Sequence, residues 1–155
     1  MPTELGKTFS IEYRGRPPHM LDQDIPVWYR FLESYGDMFI NLYYDVFVGG
    51  PWYSQKKLED PLFYMWRALN AKRIDALGET QDEVFLIEVS QDPGLRAVGQ
   101  IQVYAKLWAE DPKINKPIKL VLVCATVDPD LLSAAASFGI ISYVMPGSTR
   151  QNLPI

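Results

Sequence analysis

Two apolar segments that each carry a single acid constrain the fold of this chain more than any other feature. Val84 to Val89 is a near-continuous apolar run interrupted only by Glu88, which is typical of a central strand of a sheet. The shorter segment Arg73 to Leu77 precedes it and has Asp75 at its centre. A helical repeat of apolar side chains then covers residues 95–110. This order predicts two adjacent strands followed by a helix that packs on them.

The remainder of the chain predicts an α/β domain with the approximate order α-β-β-β-α-β-α-β. Asp24 is predicted to cap the first helix, with Pro26 in its first turn. The predicted strands are 39–48, 73–77, 84–89, 119–125 and 140–145; the later helices are 95–110 and 128–136, with a further short helix at 61–70. We expect an N-terminal arm over residues 1–24 with a short strand at 8–13, one domain over 25–146, and a tail over 147–155.

Length and charge narrow the functional classes. A chain of 155 residues is long enough for one domain with its own core. No apolar run reaches the length of a membrane span, and the N-terminus lacks the build of a signal peptide, so we expect synthesis in the cytoplasm. The net charge of −4 is not the basic excess of a free-standing DNA binder, which argues against nonspecific binding to nucleic acid.

Cysteine and histidine each occur once, at Cys124 and His19. A single cysteine allows no disulfide within the chain, and its place in an apolar strand predicts an inert core thiol. A histidine-based zinc site or a Ser-His-Asp triad would have to use His19, which lies in the proline-containing arm. We interpret His19 as a surface or packing residue.

The two acids are predicted to lie side by side. Residues two apart in a strand share a face, so Glu88 and Ser90 point the same way. If the strands pair around the turn at Glu79 to Asp82, Asp75 comes next to Glu88. Adjacent carboxylates repel each other, and a hard divalent cation such as Mg²⁺ relieves that repulsion. A bound Mg²⁺ can polarise a phosphate and lower the pKa of a water molecule, and such a site also needs a nearby cation.

In order and residue type the chain resembles the restriction-endonuclease-like superfamily, the PD-(D/E)xK nucleases, in its branch with a Gln-x-x-x-Tyr helix motif. Asp75 and Glu88 match the two acids, and Gln100 and Tyr104 match the helix motif on one helix face. The resemblance implies a mixed central sheet flanked by helices, Mg²⁺ held by Asp75 and Glu88, and DNA as substrate. It also makes Glu33 the candidate for an additional acid.

Ser90 departs from the family pattern, because a lysine is expected two residues after Glu88. A serine supplies no positive charge. Lys72 and Lys106 are the candidates for a relocated lysine, although strand alternation predicts Lys72 on the face opposite Asp75, and Lys106 is predicted on another face of the helix than Tyr104.

An interpretation without metal also accounts for these residues. Asp75 would then pair with Arg73 or a neighbouring strand, Glu88 would lie at a sheet edge, and Gln100 and Tyr104 would only hydrogen-bond within the fold. A buried acid pair without a cation is costly, so inward-pointing acids would require a metal, a nearby basic side chain, or protonation.

The leading hypothesis is a degenerate, non-catalytic nuclease-fold protein with a structural or assembly role near DNA. By analogy it resembles components of bacteriophage particles, such as the head-tail connector or neck, which would place it in a virion. Dense aromatics between Trp28 and Trp66, including Trp52 and Tyr53, predict a protein partner or a homo-oligomer. The alternatives are an active Mg²⁺-dependent DNA nuclease that uses Lys72 or Lys106, and a non-catalytic nucleic-acid-binding regulator.

Overall fold

A computed structural model describes residues 3–50 and 60–147 of the chain. Its helices are α1 (Ile25–Tyr35), α2 (Pro61–Asn70), α3 (Leu95–Glu110) and α4 (Pro129–Ser137), with a short 3₁₀ helix at Gly36–Met38. Its strands are β1 (Asn41–Val48), β2 (Lys72–Glu79), β3 (Val84–Ser90), β4 (Ile118–Cys124) and β5 (Ile140–Val144). Trp52, Tyr53 and residues 148–155 of the predicted tail lie outside the described ranges.

The five strands form one sheet in the order β1-β2-β3-β4-β5. Strand β2 runs antiparallel to both β1 and β3, whereas β3, β4 and β5 run parallel to one another. Helix α1 packs on one face, and α3 and α4 pack on the other. This arrangement confirms the predicted α/β architecture with a mixed sheet flanked by helices. None of the helices in the described ranges is long and apolar enough to span a membrane.

Aromatic side chains from the first half of the chain fill the core on the α1 side. Trp28 and Phe31 are fully buried and stack with ring centroids 5.3 Å apart. The Trp28 indole N–H donates to the Tyr44 hydroxyl at 2.8 Å, which satisfies the one polar atom of the buried indole. On the opposite face Ile101 and Trp108 of α3 are buried against the sheet. Five of the aromatics between Trp28 and Trp66 are thus buried in the core, whereas Tyr35, Tyr64 and Trp66 are exposed.

Two local predictions are wrong. Asp24 is at the N-cap position of α1, but its side chain makes no capping hydrogen bond. The predicted strand at 8–13 does not form, and within it only Phe9 pairs, through one bridge to Leu42. Cys124 is fully buried in β4, as predicted.

The described part of the N-terminal arm packs against its own domain. Glu4 and Phe9 form antiparallel bridges to Phe47 and Leu42 of β1, so the arm lies along the outer edge of that strand. Arg67 of α2 is fully buried and binds the arm by donating to the Glu4 carboxylate at 3.1 Å. The same guanidinium donates to the Gly49 carbonyl at 2.9 Å. The arm thereby protects one edge of the sheet.

Candidate functional site

The acid site begins where strands β2 and β3 separate. Their pairing runs from Glu79 opposite Val84 to Ala76 opposite Ile87 and ends there. Beyond that point the Val89 N–H donates to the Asp75 carboxylate at 2.8 Å. The side chain of Asp75 thus takes the place that a strand carbonyl would hold in a continued ladder. This inserted carboxylate anchors the site to the sheet.

A backbone irregularity in β1 lies opposite Asp75. Asp45 has a φ of 53°, a left-handed conformation that is rare for a residue within a strand. Its carboxylate accepts two hydrogen bonds from the Arg73 guanidinium, both at 2.7 Å. Arg73 therefore binds Asp45 rather than Asp75. Of the two partners expected for Asp75, the structure shows the neighbouring strand, through the Val89 N–H.

Strand alternation breaks at the same place. Ile74 and Ala76 are two residues apart in β2, yet Ile74 packs with the α3 cluster and Ala76 with the α1 cluster. A regular strand would put both side chains on one face. Asp75 lies at this break, so the rule of alternate faces does not hold for the residues that precede it.

Glu88 lies beside Asp75, in the central strand β3 rather than at a sheet edge. The Tyr104 hydroxyl donates to its carboxyl group at 3.3 Å from the buried face of α3. Burial, followed by the neighbouring Asp75 carboxyl, raises the pKa of Glu88 to about 9. Burial also raises the pKa of Asp75, to about 6, although the Val89 N–H opposes that shift. Burial and the mutual contact therefore favour a pair that retains one proton at neutral pH.

Asp24 is a third carboxylate close to this pair. Its side chain accepts the Gln91 N–H at 2.8 Å, which ties the start of α1 to the end of β3. Its charge contributes to the raised pKa values of Asp75 and Glu88, and burial raises its own pKa. The sequence did not predict that Asp24 lies at the acid site, because an aspartate immediately before a helix is interpreted as a helix cap. Glu33, the expected additional acid, is exposed on α1.

The acids line a cleft of about 300 Å³. Its polar lining consists of His19, Asp24, Asp75, Glu88, Ser90, Arg96 and Gln100. Ser90 shares this cleft with Glu88, as alternation predicts. His19 is exposed there with a φ of 64°, so it is a surface residue, but one at the cleft.

Neither predicted lysine pairs with the acids. Lys72 is exposed and lines an adjoining cavity of about 420 Å³ with Gln100 and Tyr104. Lys106 is also exposed and pairs with Glu110 at 2.8 Å. Throughout residues 3–50 and 60–147, no lysine or arginine nitrogen forms an ion pair with Asp75 or Glu88.

Arg96 is the basic residue that the sequence argument missed. It lies in the first turn of α3 and lines both the acid cleft and the adjoining cavity. It is exposed, and its charge acts on the Tyr104 hydroxyl. Arg96 lies one turn before Gln100, and residues four apart share a helix face. This spacing could have predicted that Arg96 lies at the same cleft.

The oxygen ligands of the acid site, and the number of its adjacent carboxylates, suit a hard cation such as Mg²⁺. Mg²⁺ commonly keeps several waters and takes one or two carboxylates from the protein, and Asp75 with Glu88 could supply these two. Within the described ranges no cluster of three or more histidine, cysteine, aspartate or glutamate side chains is arranged to hold a metal ion. A metal would therefore have to displace the proton shared by the pair and complete its shell with water or backbone oxygen.

No protein-family model, curated protein or solved structure matches this chain.

Proposed function

We propose that this chain is a nuclease-fold protein that does not cut DNA and serves a structural or assembly role near it. One observation carries the non-catalytic half: Asp75 and Glu88 meet in a cleft where Ser90 takes the place of the expected lysine and no described basic side chain pairs with them. Hydrolysis of a phosphodiester needs positive charge near the attacking water or the leaving group. An acid pair that holds a proton supplies none.

Exposed apolar side chains support the assembly half. Leu62, Met65 and Leu69 recur at helical spacing on α2 and are exposed by 72, 59 and 76%. At the β5 edge of the sheet Phe138, Ile141 and Val144 are exposed by 53, 40 and 41%. Exposed apolar side chains that lie next to one another are candidates for contact with a protein partner. The acidic net charge is consistent with a protein that works beside DNA through a partner.

Nicking of supercoiled plasmid in the presence of Mg²⁺ or Mn²⁺ tests the proposal. We expect no nicking by the wild type, and no difference between it and Asp75→Asn, which keeps the shape of the site and removes one metal ligand. Nicking by the wild type that disappears in Asp75→Asn would contradict the proposal.

The place of Arg96 favours one other candidate, an active Mg²⁺-dependent DNA nuclease. If Asp75 and Glu88 held the metal, it would polarise a phosphate group, and Arg96 could stabilise the charge that develops there. Arginine remains protonated and offers several donors to a phosphate. This candidate predicts nicking by the wild type that is lost in Arg96→Met and retained in Lys106→Met, an exposed cation on the same helix. Equal behaviour of both variants would contradict a role for Arg96.

A further inference from the structure

The two edges of the sheet are protected differently. The outer edge of β1 is covered by the arm, through the bridges of Glu4 and Phe9. At the other edge β5 pairs with β4 alone. In residues 3–50 and 60–147 no hydrogen bond reaches Ser142 or Val144 from the outer side. An unpaired strand edge is a template for another strand, and natural proteins usually blunt it.

The direction of the main-chain groups in β5 can be derived from one bond. The Met145 N–H donates to the Cys124 carbonyl at 2.6 Å, so the main chain of Met145 faces β4. Main-chain groups of successive strand residues point to opposite edges. Those of Val144 and Ser142 therefore point outward, and each offers one donor and one acceptor to a new strand.

The composition of this edge suits a second copy of the same chain. Residues 139–147 read Gly-Ile-Ile-Ser-Tyr-Val-Met-Pro-Gly and carry no charge. None of the usual edge protections, a lysine or a proline within the strand, is present in β5. Each chain has a net charge of −4, so two copies repel unless they meet at a neutral surface. An uncharged edge is also compatible with its own image, as a twofold interface requires.

Side chains next to the edge extend the neutral surface. Val144 is 41% exposed, Ile141 on the other sheet face is 40% exposed, and Phe138, which precedes β5, is 53% exposed. Pairing through main-chain bonds alone gives little stability, whereas apolar contacts on both faces add to it. The exposed apolar side chains around β5 would supply those contacts.

We propose that β5 pairs antiparallel with β5 of a second copy about a twofold axis at Ser142, which makes a continuous sheet of two chains. In this register Val144 lies opposite Ile140 of the second copy. Such a dimer gives the assembly role proposed above its partner surface, and its biological meaning rests on that role. Formation of the dimer does not depend on whether the acid cleft binds metal or cuts DNA. The nicking experiment and the measurement of oligomeric state therefore test the two proposals independently.

Light scattering coupled to size exclusion, with the full chain, tests the dimer. We expect the wild type to have twice the 17.7 kDa of one chain, and Val144→Lys to have half the wild-type mass, because two lysines would face neutral partners across the axis. Ile40→Lys is the matched control: it also charges an exposed apolar position, 60% exposed and next to β1 at the far edge of the sheet, and should remain a dimer. A monomeric wild type at near-millimolar concentration, or a dimer lost only in Ile40→Lys, would overturn the proposal.

Hydrogen exchange of the wild type provides a second measurement that does not depend on a variant that must fold. The amides of Ser142 and Val144 should become more protected as protein concentration rises, whereas the Phe9 amide, which donates to Leu42 at 2.8 Å within one chain, should not change. Protection at β5 that is independent of concentration would mean that the chain covers its own edge, and would overturn the dimer.

Discussion

Glu88 and Asp75 form a half-buried pair of adjacent carboxyl groups in the acid cleft. Burial disfavours the charged form of both groups; the Asp75 carboxyl raises the pKa of Glu88 further, whereas the hydrogen bond with Glu88 lowers the pKa of Asp75. No basic side chain in the described ranges pairs with either one. The Tyr104 hydroxyl and the Val89 N–H then provide fixed donors on either side of the pair. The consequence is a site whose charge is set by pH.

Glu88→Gln should remove most of this pH dependence. The folded pKa of Glu88 is raised to about 9 from an ordinary 4.5, so the folded chain binds the proton more tightly than the unfolded chain. That contribution to stability is complete below the unfolded pKa and is lost as pH rises through the folded pKa. We expect the wild type to lose stability relative to Glu88→Gln between about pH 5 and 9, by up to about 1.4 kcal/mol per pH unit.

Urea unfolding of both proteins across that range checks the prediction. The comparison cancels the titration of groups that do not interact with Glu88, so the difference reports the Asp75–Glu88 pair. Parallel stability curves would mean that Glu88 ionises normally and that the carboxyl pair does not share a proton. Glu83→Gln, a half-buried glutamate that pairs with Lys119 at 3.3 Å, is the matched control.

At the level of single residues, the sequence predicted the position of a side chain correctly where the strand alternates regularly. It did not do so where the backbone departs from that alternation. Glu88 and Ser90 share the cleft because residues two apart share a strand face. Arg73 was not expected at Asp45, because that pairing accompanies a φ of 53° that no local pattern announces. Asp24 was missed because its hydrogen bond to Gln91 joins segments that are far apart in the chain.

At the scale of elements, α3 was predicted within its observed bounds, since apolar side chains repeat along its full length. The bounds of the strands were predicted to within one or two residues, because each strand includes a short, mostly apolar run. The arm over residues 1–24 was predicted, but its position along β1 was not, since residues 3–9 contact β1 through isolated bridges rather than as a regular strand. The arm has no helical or strand repeat of apolar residues, so its conformation is determined by its tertiary contacts. Those contacts are with β1 and α2.

Phe9→Ala tests the docking of the arm. Its ring packs edge-on to Tyr44, with centroids 4.9 Å apart, and we expect the truncation to lower the free energy of unfolding by about 2 kcal/mol, less than for a fully buried phenylalanine. Leu21→Ala, at a position 60% exposed, should change it by less than about 0.5 kcal/mol. Equal effects in chemical denaturation would show that the arm leaves β1 in solution.

At the scale of the whole molecule, the acid cleft and the free edge of β5 are separate features of one sheet. The cleft forms where β2 and β3 separate, between the start of α1 and the first turns of α3. The edge lies two strands away, beyond β4. A change in one feature therefore need not disturb the other.

The central proposal is that the acid site lacks only a cation paired with Asp75 and Glu88, at the position that Ser90 occupies. The most direct measurement is nicking of supercoiled plasmid with Mn²⁺ by the wild type, Ser90→Lys and Ser90→Met, where methionine matches lysine in length without the charge. We predict nicking by Ser90→Lys alone. Nicking by the wild type would contradict the claim that the site is inactive, and inactivity of a folded Ser90→Lys would contradict the claim that only the cation is missing.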